Sequence, residues 1–419
     1  MRVLIVGAGL LGLTTAFFLR RHQLEITVID RASGPGLETS FANGGMLHAS
    51  QANPWNAPGV FWQALKMLGR EDAALLVRPA AIPRLLSWGV AFIRHSAPSH
   101  YLRNFEKNAR LARYSLAQMK ILREGLGGEY DYRQRGTIKL FRTKSEVVAA
   151  AALGDLLRQW NIAYEVISPA RTVELEPALG PIAAQLAGGL YFPDDEAGDA
   201  YRFCQLLAAD LERRGVTFRY GTRIKRVQLR GGRAVGVVTD GDEPIAGQVV
   251  LAAGSYTPLL AKGLGLRVPV APVKGYSITL PSNGWQAGPV IPVIDDHLHA
   301  AVCPLGNRLR VAGTAEFAGY SLALTPSRIN NLYGLVKQLY PAFEPYLERD
   351  HGAAWTGLRP MSVDGVGIMG ATAVPDLYLN TGHGPLGWTM AAGAGRLVAD
   401  EIAGVRTELD LAPYRVTRF

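Results

Sequence analysis

Cysteine is nearly absent from this chain: among 419 residues only Cys204 and Cys303 occur, far apart and without a CxxC partner. Neither an iron–sulfur cluster nor a zinc site can be built from them, and no metal ligands are assigned. Both read as small buried hydrophobes in a reducing compartment. Long apolar runs are missing too. The nearest, residues 73–93, is broken by Arg78, Pro79, Pro83 and Arg84, so it falls short of the roughly 18 residues a bilayer span needs. The first strand pattern starts at residue 2, so a cleaved secretory leader is not expected and a cytoplasmic location is. The net charge of +9 is dispersed, without blocks of like charge or interleaved aromatics. Nucleic acid is therefore not an expected partner, whereas acidic substrates or an anionic membrane surface are. Repeats, low-complexity tracts and glycine-serine linkers are also lacking, and with 48% hydrophobic and 19% charged residues the chain suits two well-filled globular domains.

What is present begins at once. Arg2-Val-Leu-Ile-Val6 runs into Gly7-Ala-Gly9-Leu10-Leu11-Gly12, an apolar helical stretch follows, and Glu25-Ile-Thr-Val-Ile-Asp30 closes the unit. A β-branched strand enters a glycine turn that lets the backbone approach a pyrophosphate, and the next helix presents its positive dipole end to that anion. Asp30 stands where a carboxylate accepts ribose hydroxyls and repels a 2′-phosphate. After Arg31 the segment Glu38-Thr-Ser40-Phe-Ala42-Asn43-Gly44-Gly45-Met46 offers little to a core. It reads as chain running past a further ligand group, which favours FAD over NAD.

Further along, residues 101–126 have the period of a long amphipathic helix, residues 136–142 alternate as a strand, and residues 147–160 and 196–214 read as helices. Residues 248–254 form an apolar strand opening onto a small-residue turn, expected to return to the first parallel sheet. Residues 268–280, 300–303 and 309–316 alternate like strands of a mixed or antiparallel sheet. The C-terminal part reads as a strand, the glycine-rich loop Thr381-Gly-His383-Gly384-Pro-Leu386-Gly387, and a helix from Trp388 to Ala403. The apolar region 60–92, with Leu65 and Leu68 among its residues, reads either as helices packed on the second domain or as a peripheral membrane or partner-docking surface.

Together the glycine fingerprint, Ile29-Asp30-Arg31, Glu38-Thr-Ser40 with Ala42-Asn43, Gly254-Ser-Tyr, Lys274-Gly-Tyr276-Ser, Trp355-Thr-Gly357-Leu-Arg359-Pro-Met and Leu379-Asn-Thr-Gly-His383-Gly resemble one group of proteins. They are similar to FAD-dependent enzymes of the D-amino-acid oxidase and glycine oxidase superfamily, and within it to the bacterial D-amino-acid dehydrogenases of small-subunit type. The resemblance implies an α/β protein: a discontinuous Rossmann-like FAD-binding domain (residues 1–58, 196–265 and 345–419) with an interleaved α+β substrate domain (residues 59–195 and 266–344) built on a mixed or antiparallel sheet. FAD would be held non-covalently, since neither cysteine lies in the C-terminal flavin segment where sarcosine-type oxidases tether theirs.

Implied flavin contacts, besides Gly7, Gly9, Leu10, Leu11, Gly12, Asp30 and Arg31, are Ser40, the run Ala42 to Met46, Ile224, Ala253, Gly254, Gly357, Gly384, Leu386, Gly387, Trp388 and Thr389. Arg359 would hold the substrate carboxylate through its planar fork, orienting the α-hydrogen toward flavin N5. Tyr276, Lys274, His383 and His48 are the accompanying candidates. The implied reaction is oxidation of a D-amino acid to its imino acid, which water converts to a 2-oxo acid and ammonia, with electrons leaving to a quinone or other respiratory acceptor. Alternatives are a D-proline or D-hydroxyproline dehydrogenase acting on a cyclic imino acid, an oxygen-using glycine or D-amino-acid oxidase, or an FAD-binding scaffold subunit of a larger complex.

Overall fold

The computed structural model describes residues 1–62, 67, 69–71, 73–282, 284–347 and 352–419. Leu65 and Leu68 lie outside them. Two sheets organise the chain. The first has six strands in the order Ile368–Ala371, Leu377–Thr381, Gln248–Leu251, Arg2–Val6, Glu25–Ile29 and Thr217–Arg219. All neighbours are parallel except the first two, so Gln248–Leu251 does return beside the opening strand. Its strands carry Val, Ile and Leu on both faces because helices cover one side and a three-stranded sheet with its loops covers the other.

The helix Leu10–Leu19 is buried along its whole length. It lies against the helix Gly387–Ile402, where a side chain at Gly395 would stand 2.7 Å from Thr14, and Thr14 Oγ1 donates to the Ala391 carbonyl at 2.8 Å. On that helix's other flank runs Pro98–Glu124, whose Ser115 hydroxyl accepts from Gly393 N at 2.9 Å. Two helices that meet the cofactor sheet at its mouth are thus locked by small residues rather than by interleaved large ones.

The second sheet has nine strands. Eight follow the order Ala353–Ser362, Val270–Pro281, Arg308–Phe317, Ala300–Leu305, Val293–Asp295, Thr137–Phe141, Gly188–Phe192 and Glu165–Ile167, and Leu75–Val77 pairs with Arg308–Phe317. It is mixed, parallel only where Val293–Asp295 meets Thr137–Phe141 and Leu75–Val77 meets its neighbour. The strand Ala353–Ser362, expected within the cofactor domain from its sequence position, runs in this second sheet and carries Arg359 with it.

The helix expected over residues 196–214 is shorter, Ala200–Arg213. Asp199 caps it, accepting from the amides of Tyr201 and Arg202 at 2.9 and 3.2 Å, while Glu196–Ala197 pairs with Met46–Leu47 instead. In the apolar region the helix Ile82–Arg94 buries none of its residues fully.

Candidate active site

A cavity of about 1080 Å³ runs between the two sheets, from the first glycine turn to the Arg308–Phe317 strand. That exceeds the roughly 1,000 Å³ of large small-molecule pockets, as a site for a dinucleotide plus a substrate must. At one end, Gly7 holds φ +118°, and a Cβ there would meet the Ala252 carbonyl oxygen at 2.5 Å. A Cβ on Gly12 would stand 1.9 Å from the Gly7 oxygen. No other residue lets strand, helix and neighbouring strand close so tightly.

Asp30 accepts from Ala8 N at 2.6 Å and from Ala32 N at 2.8 Å, so its carboxylate splints the turn while lining the cavity. Burial raises its pKa and those backbone donors oppose the rise. Arg31 lies over the Tyr256 ring at 3.8 Å and pairs with Glu38. Near them, Ile224, Ala253 and Gly254 form the wall.

The segment after Asp30 is pinned from behind. Leu10 N donates to Ser40 Oγ at 3.2 Å, Ser277 Oγ donates to the Ala42 carbonyl at 2.7 Å, and buried Arg310 donates to the Asn43 carbonyl at 2.8 Å. Ala42, Asn43, Gly44 and Met46 are thereby laid along the cavity. Gly384, Leu386, Gly387 and Trp388 close its far side, where the Gly387–Ile402 helix begins with no side-chain cap. Its first N–H groups and dipole face the cavity, a placement that suits the electron-rich edge of a bound flavin.

Gly12, Gly45 and Thr389 sit one layer back from the wall. Gly45 packs on buried Cys303, and the Thr389 hydroxyl accepts from His48 N at 3.0 Å. Both cysteines are buried and free, with burial pushing the Cys303 thiol up to about 12.

Arg359 projects from the Ala353–Ser362 strand across Gly275 of its neighbour; a Cβ on Gly275 would lie 2.2 Å from the guanidinium Nη1. Gly357, two residues earlier, also faces the cavity. The guanidinium donates to the Thr314 carbonyl at 3.3 Å and stands 5.7 Å from the Trp55 ring, and among the described residues no carboxylate pairs with it. Removal from water lowers its pKa to about 10, so it remains charged at neutral pH. An uncompensated, planar cation in a cavity wall has the charge and geometry to pair with a carboxylate.

Two candidates are placed otherwise than expected. Lys274 and Tyr276 alternate with Gly275 and so point to the opposite side of the sheet. There Lys274 Nζ lies 3.3 Å from Glu316 Oε2, and the Tyr276 hydroxyl donates to Glu316 at 2.5 Å and lies 3.0 Å from the Thr325 hydroxyl. Arg78 completes this buried network at 2.7 Å from Glu316. Tyr276 still borders the cavity, but its hydroxyl is committed behind it, and burial together with Glu316 raises its pKa. Lys274 holds the sheet to the Arg78 segment rather than meeting flavin or water.

His48 and His383 both line the cavity. Burial pushes His48 down to about 4, and burial with the nearby Arg418 charge pushes His383 down to about 3. Both rings are neutral at ordinary pH. Neither nitrogen of His383, nor His48 Nδ1, has a hydrogen-bond partner among the described residues.

Sequence reasoning missed two features. Thr314 adopts φ +53° beside Arg359, a conformation β-branched residues avoid, and nothing local signals it. Trp55, Trp88, Phe92 and Phe317 also line the cavity, from segments far apart in the chain.

The family model described as "FAD dependent oxidoreductase" matches residues 2–401. A "D-amino acid dehydrogenase" of Sinorhizobium medicae is 41% identical over 419 residues, covering all of both chains. Another protein of that name, from Methylobacterium radiotolerans, is 44% identical over 410 residues, 98% of this chain and 97% of the relative. Among solved structures, the fold is similar to L-proline dehydrogenase from P. horikoshii, with a TM-score of 0.78 at 18% identity over 100% of this chain and 97% of that one. The chain belongs to the family of FAD-dependent oxidoreductases, and FAD is the dinucleotide for which its glycine turn is built.

Proposed function

We propose that this chain oxidises free D-amino acids to imino acids, which water converts to 2-oxo acids and ammonia, and that its electrons pass to a quinone or similar respiratory acceptor. The observation that carries this reading is Arg359, a charged fork without a carboxylate partner, facing the cavity across Gly275. The names of the relatives support the D-amino acid and the dehydrogenase character. FAD bound along the cavity supplies a two-electron acceptor for the hydride of the substrate α-carbon.

This chain's residues then have to bind, orient and exclude water. Arg359 fixes the carboxylate, and the Thr314 carbonyl fixes Arg359. With His48 and His383 neutral, neither brings positive charge that would repel a substrate ammonium group entering the site. No protein nucleophile is required.

We also propose peripheral contact with the cytoplasmic face of a membrane through the helix Ile82–Arg94. Ile82, Leu86, Val90 and Ile93 lie exposed at helical spacing, and residues 73–105 contain no Asp or Glu, while Arg84 and Arg94 are exposed. Among the described residues no helix is long and apolar enough to cross a membrane.

The test is anaerobic flavin bleaching with D-, L- and N-alkyl amino acids. D-amino acids should bleach it, and Arg359→Ala should abolish bleaching while FAD stays bound. A flavin that stays oxidised with every D-amino acid would leave a scaffold subunit as the better reading. Co-sedimentation with anionic vesicles, lost in Leu86→Glu/Val90→Glu, tests the membrane contact.

A further inference from the structure

The cavity has two unlike ends. Around the glycine turn it is polar, whereas beside Arg359 it is walled by Trp55, Trp88, Phe92, Phe317, Leu75 and Met361. These side chains form one connected surface. Trp88 stacks on Phe92 at 4.8 Å and 21°, and its ring lies 5.6 Å from that of Phe317. Trp55, Leu75, Trp88 and Phe317 all pack against a buried cluster of Val273, Ala315 and Met361. The Trp55 ring stands 5.7 Å from the Arg359 guanidinium.

Small residues line the cavity as well. Ala57, Ala74, Gly275 and Ala315 line the same part of the cavity, so the aromatic wall encloses space rather than filling it. Among the described residues of this wall, Arg359 carries the one charge. The acidic residues that border the cavity are Asp30, Glu38 and Asp240 near the glycine turn, and Asp296, which pairs with Lys139 at 2.8 Å. Arg78, whose backbone N–H donates to the Phe317 carbonyl at 3.0 Å, is occupied by Glu71 and Glu316.

A substrate anchored by its carboxylate on Arg359 therefore sends its side chain against flat apolar surface, with no further partner for a charge among the described residues. We infer that the preferred substrates are D-amino acids with bulky apolar or aromatic side chains, and that Trp88 and Phe317 determine this preference. The inference rests on the D-amino-acid reading above and specifies the side chain. Burying a side chain of leucine size or larger against such a wall favours it over a methyl group by tenfold or more in kcat/KM. A charged side chain entering the same space loses its hydration without a counter-ion.

The experiment is a dye-reduction assay of the FAD-loaded enzyme over D-alanine, D-proline, D-leucine, D-phenylalanine, D-arginine and D-aspartate. D-phenylalanine and D-leucine should exceed D-alanine by about tenfold or more in kcat/KM, and the two charged substrates should fall about a hundredfold below them. In Trp88→Ala and Phe317→Ala, the ratio of D-phenylalanine to D-alanine should drop about tenfold, with bound-flavin absorbance reporting that each variant folds. Phe317→Leu should keep the preference for D-leucine. D-alanine, D-proline or D-arginine leading the series would overturn this inference while leaving the D-amino-acid reading intact. An enzyme reduced by no D-amino acid would overturn that reading itself. Ratios unmoved in both alanine variants would remove the assigned role from the wall.

Discussion

Replacing Arg359 with methionine should make the protein more stable and useless at once. The fall of the guanidinium pKa from its ordinary value to about 10 comes from taking the cation out of water, with no carboxylate beside it among the described residues. Such a fall corresponds to about 3 kcal/mol against the charged form, which water in the cavity screens to ~1–2 kcal/mol. The penalty is present at every pH below about 10 and is relieved only as pH rises from there toward the ordinary arginine value. Methionine matches much of the arginine's volume and carries no charge, and the bond given up is a single long one to the Thr314 carbonyl. With FAD bound, Arg359→Met should melt about 1–3 °C higher than the natural enzyme. Adding 3-phenylpropanoate, a substrate-shaped carboxylate that cannot be oxidised, at about 100 times its Kd should stabilise the natural protein by about 2.7 kcal/mol and leave the variant unmoved. Turnover should drop at least about a hundredfold, because a carboxylate would enter the site unpaired. A variant that melts several degrees lower, or one that the carboxylate still stabilises, would show that Arg359 supports the fold and does not receive the substrate.

Gly275→Ala places a methyl group 2.2 Å from the present position of Arg359 Nη1 and must swing the guanidinium aside, so turnover should fall at least about thirtyfold with FAD content unchanged. Normal kinetics in that variant would refute the geometry. Buried Asp195 accepts from Ser50 Oγ at 2.6 Å, and burial raises its pKa to about 7 from 3.8. The folded protein thus holds a proton the unfolded chain releases, and stability is lost as pH climbs through that window. Asp195→Asn should raise stability, read from urea unfolding at pH 8, by up to about 4 kcal/mol, and much less at pH 4.5; an equal effect at both pH values would contradict the assignment. Thr314→Gly relieves a left-handed β-branched residue and should stabilise by about 0.5–1.5 kcal/mol in urea unfolding, with a fall in stability counting against strain at this position.

What could be read in the sequence depended on whether the controlling contact was local. Gly7, Gly12 and Asp30 announce themselves because the turn, the helix start and the strand end lie within one short unit, and each needs its residue for a steric or hydrogen-bonding reason found there. The placement of Lys274 and Tyr276 was illegible for the opposite reason. Alternation correctly separates them from Gly275, yet which face is the cavity depends on Glu316, a partner forty residues on in another strand.

That partner is itself displaced by an irregularity no local pattern marks. Gly275 pairs with Ala315 and Tyr276 with Gly313, so Thr314 is an extra residue bulged out of the ladder. Before the bulge the odd-numbered residues Leu309 and Val311 join the core behind the sheet with Tyr276 and Ile278, while Arg310 reaches forward to Asn43. After it the parity reverses: Glu316 turns back to Lys274, and Ala315 and Phe317 turn to the cavity. A regular strand would have sent Phe317 to the same side as Val311 and left the aromatic wall without one of its faces. The strained backbone at Thr314 therefore does three things together: it aims a carbonyl at Arg359, sets Glu316 in the charged network, and puts Phe317 where a substrate side chain would meet it.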